Sequence, residues 1–291
     1  MEIGIFSRTF TRPGLGMLLD SVVAHGLSYV HFNLASAGLA SLPDELAPDQ
    51  IVEIRSAFDS RKLIMTSISG TFNAIHPDLR RRAQETQRAC GLIEHCPSLG
   101  TFVVSLCTGS RDPQDMWKRH RDNQDPDAWR DLLATLEKLL PVAESSGVVL
   151  VIEPETNNVV DSAARARRLL DDVQSQNLKI IMDGANLFFG GDVSHMRAVL
   201  TESFELLAPD IVLVHAKEIP ISPKRNYQAL GTGLLDWETY CSLLGQKGYQ
   251  GPVIVHNVLE SDVSKSISFL RDHLSLGRPQ ATMMSNQDAI S

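Results

Sequence analysis

Four residues define the chemistry open to this chain. Glu153, Asp183, His215 and His256 each close a short apolar run, and the four runs follow one another along the sequence. A carboxylate at the end of an all-apolar segment loses hydration unless something compensates its charge. Two carboxylates brought together also repel each other. A divalent cation relieves both costs. Two oxygen and two imidazole donors suit Mn²⁺ first, with Zn²⁺, Co²⁺, Mg²⁺ or Fe²⁺ as alternatives, and leave one or two positions open for substrate oxygens. The expected metal set is therefore Glu153, Asp183, His215 and His256. Singly, each has a structural reading: a hydrogen-bonded histidine at a strand end, or an acid capping a helix or pairing in a loop. Their joint placement is what points to a metal.

Such residues meet only if neighbouring parallel strands carry them. Eight Val- and Ile-rich runs recur: Ile3–Phe6, Tyr29–Asn33, Leu63–Ile68, Phe102–Leu106, Val148–Glu153, Lys179–Asp183, Ile211–His215 and Pro252–His256. Their starts lie 26 to 46 residues apart, the length of a strand–helix–strand unit. Val148-Val149-Leu150-Val151-Ile152 is apolar on both faces, as strands buried on both sides are. Between the runs, Asp78–Cys96, Asp127–Ser145 and Asp161–Asn177 carry apolar residues at helical spacing, and Gly147 stands where a helix C-terminal glycine belongs. Eight such units without hairpin signals predict a single (β/α)8 TIM barrel over residues 1–276, followed by a polar tail over 277–291. The alternative, an open doubly wound sheet, calls for a glycine fingerprint after the first strand, and Phe6-Ser7-Arg8-Thr9-Phe10 has none. In a closed barrel the strands' C-terminal ends lie side by side on the face where active sites form.

Two longer loops are candidate pocket rims. Thr108–Asp127 holds Arg111, Trp117, His120 and Arg121. Glu218–Trp237 holds Pro220, Pro223, Tyr227 and the Gly231-Thr232-Gly233 turn.

Composition narrows the partners. The chain has 27 Lys+Arg against 35 Asp+Glu, a formal net charge of -8, the wrong sign for a surface that neutralises nucleic-acid phosphates. Mean hydropathy is -0.07, and no apolar stretch is long enough to cross a membrane. The residues from Met1 to Ile5 predict no secretory signal, and the scattered Cys90, Cys96, Cys107 and Cys241 read as reduced thiols, so a cytoplasmic location is expected.

Several motifs in a fixed order resemble the xylose isomerase-like TIM-barrel superfamily, the sugar (phosphate) isomerase/epimerase group. They are Ser69-Gly70-Thr71-Phe72-Asn73 with His76-Pro77-Asp78, Val151-Ile152-Glu153-Pro154-Glu155, and Ile181-Met182-Asp183-Gly184-Ala185-Asn186. Val214-His215-Ala216-Lys217-Glu218 and Leu230-Gly231-Thr232-Gly233-Leu234-Leu235-Asp236-Trp237 follow. The resemblance runs from Ile3 to about Leu274. It implies a metal held by Glu, Asp, His and a second Glu, of which the first three carry over to Glu153, Asp183 and His215. The fourth does not: the corresponding segment reads Gly251-Pro252-Val253-Ile254-Val255-His256. Asn186 stands where the epimerases often carry His.

The resemblance implies an isomerase or epimerase of a sugar, sugar phosphate or cyclitol, moving a proton next to a carbonyl through an enediolate. Glu153 is then the expected base, and His256 either the fourth ligand or a second acid/base group. Lys217, two residues past His215, is a third catalytic candidate. Asn73, His76, Trp117, His120, Glu155 and Asn186 are the candidate substrate contacts, while His31 is expected to be structural. The alternatives are a metal-dependent lyase or dehydratase, a non-catalytic sugar-binding barrel, and, least favoured by charge, an abasic-site endonuclease. The expected partner is a small polyhydroxy molecule, not nucleic acid or a membrane, and a homo-oligomer is compatible with such barrels.

Overall fold

The computed structural model describes residues 1–188, 193–222 and 227–276. The tail expected over 277–291, and Pro223 of the second rim, lie outside the described residues. Eight parallel strands close in chain order: β1 (Ile3–Phe6), β2 (Tyr29–Phe32), β3 (Ile64–Ser69), β4 (Val103–Leu106), β5 (Val149–Ile152), β6 (Leu178–Asp183), β7 (Ile211–Ala216) and β8 (Val253–Val255). Gly4 of β1 pairs with Ile254 of β8, which closes the ring. Around it run α1 (Leu15–Ala24), α2 (Pro48–Asp59), α3 (Leu79–Leu99), α4 (Pro126–Ser146), α5 (Ala163–Val173), α6 (Met196–Leu207), α7 (Trp237–Gln246) and α8 (Val263–Leu276). The fold is the (β/α)8 barrel the sequence predicts.

The helix ends follow local chemistry. The Asp78 carboxylate accepts the Arg80 and Arg81 N–H groups at 2.9 and 3.1 Å and opens α3. Gly147 ends α4 at φ +65°, the left-handed conformation expected of it. The fifth helix is shorter than the spacing suggests. Gln174 turns left-handed at φ +53°, and Asn177 instead ties β5 to β6, its side-chain amide donating to the Val148 carbonyl at 2.8 Å.

Most of the core lies between the strands and the helices. Inside the barrel is a separate apolar layer of Val151, Ile181, Leu213 and Ile254. One residue in two faces inward along a strand, so this layer dictates what comes two residues later, at the mouth. Among the described residues, no helix is long and apolar enough to cross a membrane.

Candidate active site

Two residues beyond Val151, Ile181, Leu213 and Ile254 stand Glu153, Asp183, His215 and His256. The alternation that buries the first layer therefore aims the second into the mouth. Three of the four converge: one donor atom from each of Glu153, Asp183 and His215 lies within 4.8 Å of the others. Asp183 and His215 face each other across the β6–β7 ladder.

His256 does not join them, contrary to the expectation of a four-residue cluster. The register pairs His215 with Ile254, so His256 sits two residues further along its strand. At about 3.3 Å per residue, that offset lifts it above its neighbour. Its ring stacks on that of His215, with centroids 5.0 Å apart and planes 4° from parallel. Among the described residues, the converging donor cluster does not include His256. Phe6 covers His256 from another side, at 4.9 Å.

The three converging groups fit a divalent cation. Asp183 is 1% exposed. Its Oδ1 accepts the Ala185 N–H at 2.9 Å, while Oδ2 is buried with no hydrogen-bond partner. His215 Nδ1 is similarly orphaned, 3.4 Å from Glu153 Oε2. Buried polar atoms are normally satisfied, so these two orphans leave room for a positive partner. Two carboxylates and an imidazole are the borderline donors that Mn²⁺, Fe²⁺, Co²⁺ and Zn²⁺ accept.

A hydrogen-bonded frame holds these groups. His31 Nδ1 lies 3.1 Å from His215 Nε2, and its Nε2 3.1 Å from Ser105 Oγ. If His215 donates from Nε2, its Nδ1 is left as the lone-pair donor, the tautomer a ligand needs. His31 thus touches a candidate ligand within the cavity. The Asn186 amide donates to Glu153 Oε1 at 2.6 Å, and the Lys217 ammonium donates to Asn186 Oδ1. Lys217 therefore points into the site.

The ionisation of the site follows its burial. Burial raises Glu153, but His215, Lys217 and His256 outweigh it and hold the carboxyl well below the usual range. Burial pushes Asp183 up to about 7, with Glu153 adding to it, against Lys217 and His215. Burial likewise raises Glu155 to about 7. His256 is pushed down to about 3, first by burial and then by His215 and Lys217, so its ring is neutral.

A cavity of about 530 Å³ opens over this cluster, with Trp117, Glu155, Asn186, Lys217 and His256 on its wall. The other sequence candidates fall elsewhere. Asn73 and His76 line an adjoining cavity, and their polar atoms bind loop backbone. Asn73 Nδ2 donates to the Ser110 carbonyl at 2.7 Å, and His76 Nδ1 accepts the Asp78 N–H at 3.0 Å. Gly109, at φ +83°, allows this packing, because a Cβ there would lie 2.1 Å from Asn73 Oδ1. His120 lines neither cavity; its Nδ1 accepts the Asp122 N–H at 3.3 Å. Sequence reasoning missed Ser105, Ser69, Met116 and Asn158 on the main wall. Ser105 was detectable by counting in twos from Val103, which packs on the interior layer. Met116 and Asn158 sit on irregular loops and give no such signal.

The comparisons with known proteins agree with this architecture. A sequence-family profile described as "Xylose isomerase-like TIM barrel" matches residues 19–273. No curated protein sequence matches the chain. Many solved structures share its fold, three of them as follows. 3-Keto-D-glucoside 4-epimerase, YcjR, from E. coli is 19% identical at a TM-score of 0.74, covering 94% of this chain and 99% of that one. D-Psicose 3-epimerase from Clostridium cellulolyticum H10, solved with D-tagatose, is 16% identical at 0.73, with the same coverage of 94% and 99%. An IOLI protein with a bound zinc atom is 17% identical at 0.73, covering 95% and 99%. The chain belongs to the xylose isomerase-like TIM barrel family.

Proposed function

We propose that this protein is a divalent-metal-dependent isomerase or epimerase of a small polyhydroxy carbonyl compound. The convergence of Glu153, Asp183 and His215, with Asp183 Oδ2 left unpartnered, carries this reading. Two structural neighbours that are sugar epimerases, and one that holds a zinc atom, support it. Glu153, Asp183 and His215 would hold the cation, which supplies positive charge beside a carbonyl oxygen and so acidifies the adjacent C–H.

The chain's own groups do the rest. Glu153 is an ionised carboxylate and takes the carbon-bound proton, its orientation fixed at Oε1 by Asn186 and, through Asn186, by Lys217. His256 works from the β8 side as a neutral imidazole. Its Nδ1, buried without a partner, accepts a hydrogen bond from a substrate hydroxyl, while Glu153, protonated by the first step, returns the proton to carbon. Phe6 and the His215 ring hold it in place. Lys217 adds a fixed positive charge facing Glu153, Glu155 and Asp183. Trp117 shields the mouth.

The test is solvent deuterium exchange into ketoses and inososes by protein loaded with Mn²⁺ and by protein stripped with EDTA. Exchange at the carbon next to the carbonyl, in the loaded protein alone, is the expected result. Equal exchange with and without metal contradicts the reading.

A further inference from the structure

Trp117 joins an uncovered side chain to a tightly held backbone. The indole is 46% exposed and stands on the wall of the main cavity. An aromatic face left in water forgoes the burial that stabilises such side chains. Its main chain is gripped on both sides. The carbonyl before it, of Met116, accepts from Asn158 Nδ2 at 3.0 Å, and the carbonyl after it, of Lys118, accepts from the Ser110 hydroxyl at 2.6 Å. Its own N–H donates to Asp115 Oδ1 at 2.9 Å.

Both grips are buried. Asn158 and Ser110 are 2% and 0% exposed. Asn158 Oδ1 accepts the Cys107 thiol at 3.1 Å and the Gly109 N–H at 3.3 Å, so its amide donor is left to face Met116. The Asn158 N–H donates to the Glu155 carbonyl at 2.8 Å, and the Glu155 N–H to the Val160 carbonyl at 3.0 Å. Asn158 therefore sits in a hydrogen-bonded turn five residues beyond Glu153, and it ties the backbone of Trp117 to the segment that carries the candidate base. The loop is ordered before any ligand arrives, so binding does not bear the ordering cost of a mobile aromatic.

We propose that Asn158 is a positioning residue for substrate binding: through the Met116 carbonyl, with Ser110 holding the Lys118 carbonyl, it fixes Trp117 as a preformed plate over the cavity. The inference rests on the function proposed above, in which Trp117 shields a polyhydroxy substrate, and names a residue that sets the affinity for it.

Fluorine NMR of Zn²⁺-loaded protein labelled with 5-fluorotryptophan tests it. The chain has three tryptophans, and Trp117→Phe identifies the Trp117 line. Asn158→Asp keeps an acceptor for Cys107 and Gly109 but sets an oxygen against the Met116 carbonyl; Asn158→Ala removes the grip altogether. Either is expected to shift the Trp117 line toward free 5-fluorotryptophan or change its width by about twofold, with the Trp129 and Trp237 lines in place. A Trp117 line that in both variants stays in place, or moves only together with the other two, overturns the inference. Calorimetry with D-fructose, D-tagatose and scyllo-inosose adds the binding readout. Loss of Asn158 is expected to weaken the tightest of the three about fivefold in the parent, and less than about twofold in Trp117→Ala, where the plate is already gone. Equal losses in both backgrounds overturn the inference. Deuterium exchange with the same sugars separates the two claims. Exchange with an unmoved Trp117 line overturns the role of Asn158 alone. A selective Trp117 shift without exchange into any sugar overturns the proposed reaction and leaves the grip of Asn158 on Trp117 standing.

Discussion

Asp183 and Glu218 are buried alike, at 1% and 3% exposure, yet their surroundings treat them oppositely. Four donors surround the Glu218 carboxylate. Oε1 accepts the Ile219 and Leu235 N–H groups, both at 3.0 Å, and Oε2 accepts the Gly231 N–H at 2.8 Å and the Trp237 indole at 2.9 Å. Gly231 reaches it at φ +75°, packed so closely on Phe269 that a Cβ would lie 2.2 Å away. Asp183 receives one N–H and keeps one oxygen bare. A saturated buried carboxylate is scaffolding, because four charge-assisted bonds offset its desolvation. An unsaturated one has been left ready for something the chain does not itself supply. Glu218 folds the loop after β7 over the barrel; Asp183 waits at its mouth.

The largest effect should come from the group that shares the Asp183 cluster and also moves the proton. Glu153→Gln is expected to slow deuterium exchange by about 10²- to 10⁴-fold while the protein stays folded, read by NMR and circular dichroism. Asp183→Asn is expected to weaken divalent-metal affinity by about 100-fold and to change metal-free stability by less than about 1 kcal/mol, since little in the fold depends on its bare oxygen. Glu218→Gln should do the reverse. It is expected to cost about 2 kcal/mol in urea unfolding, because two of its N–H partners face an amide, with metal affinity within a few-fold of the parent. The smallest effect concerns the frame behind His215. His31→Gln is expected to lower metal affinity by about tenfold, as loss of a partner that orients a ligand does. A Glu218 variant that loses metal, or an Asp183 variant that unfolds without metal, would break the contrast.

Most of this could be read before any coordinates existed, because period-two alternation and strand count survive in sequence. Val151 and Glu153, or Leu213 and His215, show both the interior layer and what stands above it. What could not be read was stagger. Nothing in the string Gly251-Pro252-Val253-Ile254-Val255-His256 shows that β8 pairs Ile254, not His256, with His215. That shear between strands leaves His256, an expected fourth ligand, stacked on the His215 ring. Loop candidates were hidden for a different reason. Asn73, His76 and His120 have polar side chains that suit a pocket equally well and a turn, and the chain uses them to bind its own backbone. His31 lies in a strand, but its partner His215 is 184 residues away, a contact no local pattern reveals.

In the proposed function, Glu153, Asp183 and His215 hold one cation while His256 stands outside its coordination. Manganese titration of the parent, Asp183→Asn and His256→Ala proteins, followed by electron paramagnetic resonance, tests it directly. One tight site per chain is expected in the parent, retained within about tenfold in His256→Ala and lost in Asp183→Asn. No tight site in the parent, or equal loss in both variants, would contradict it.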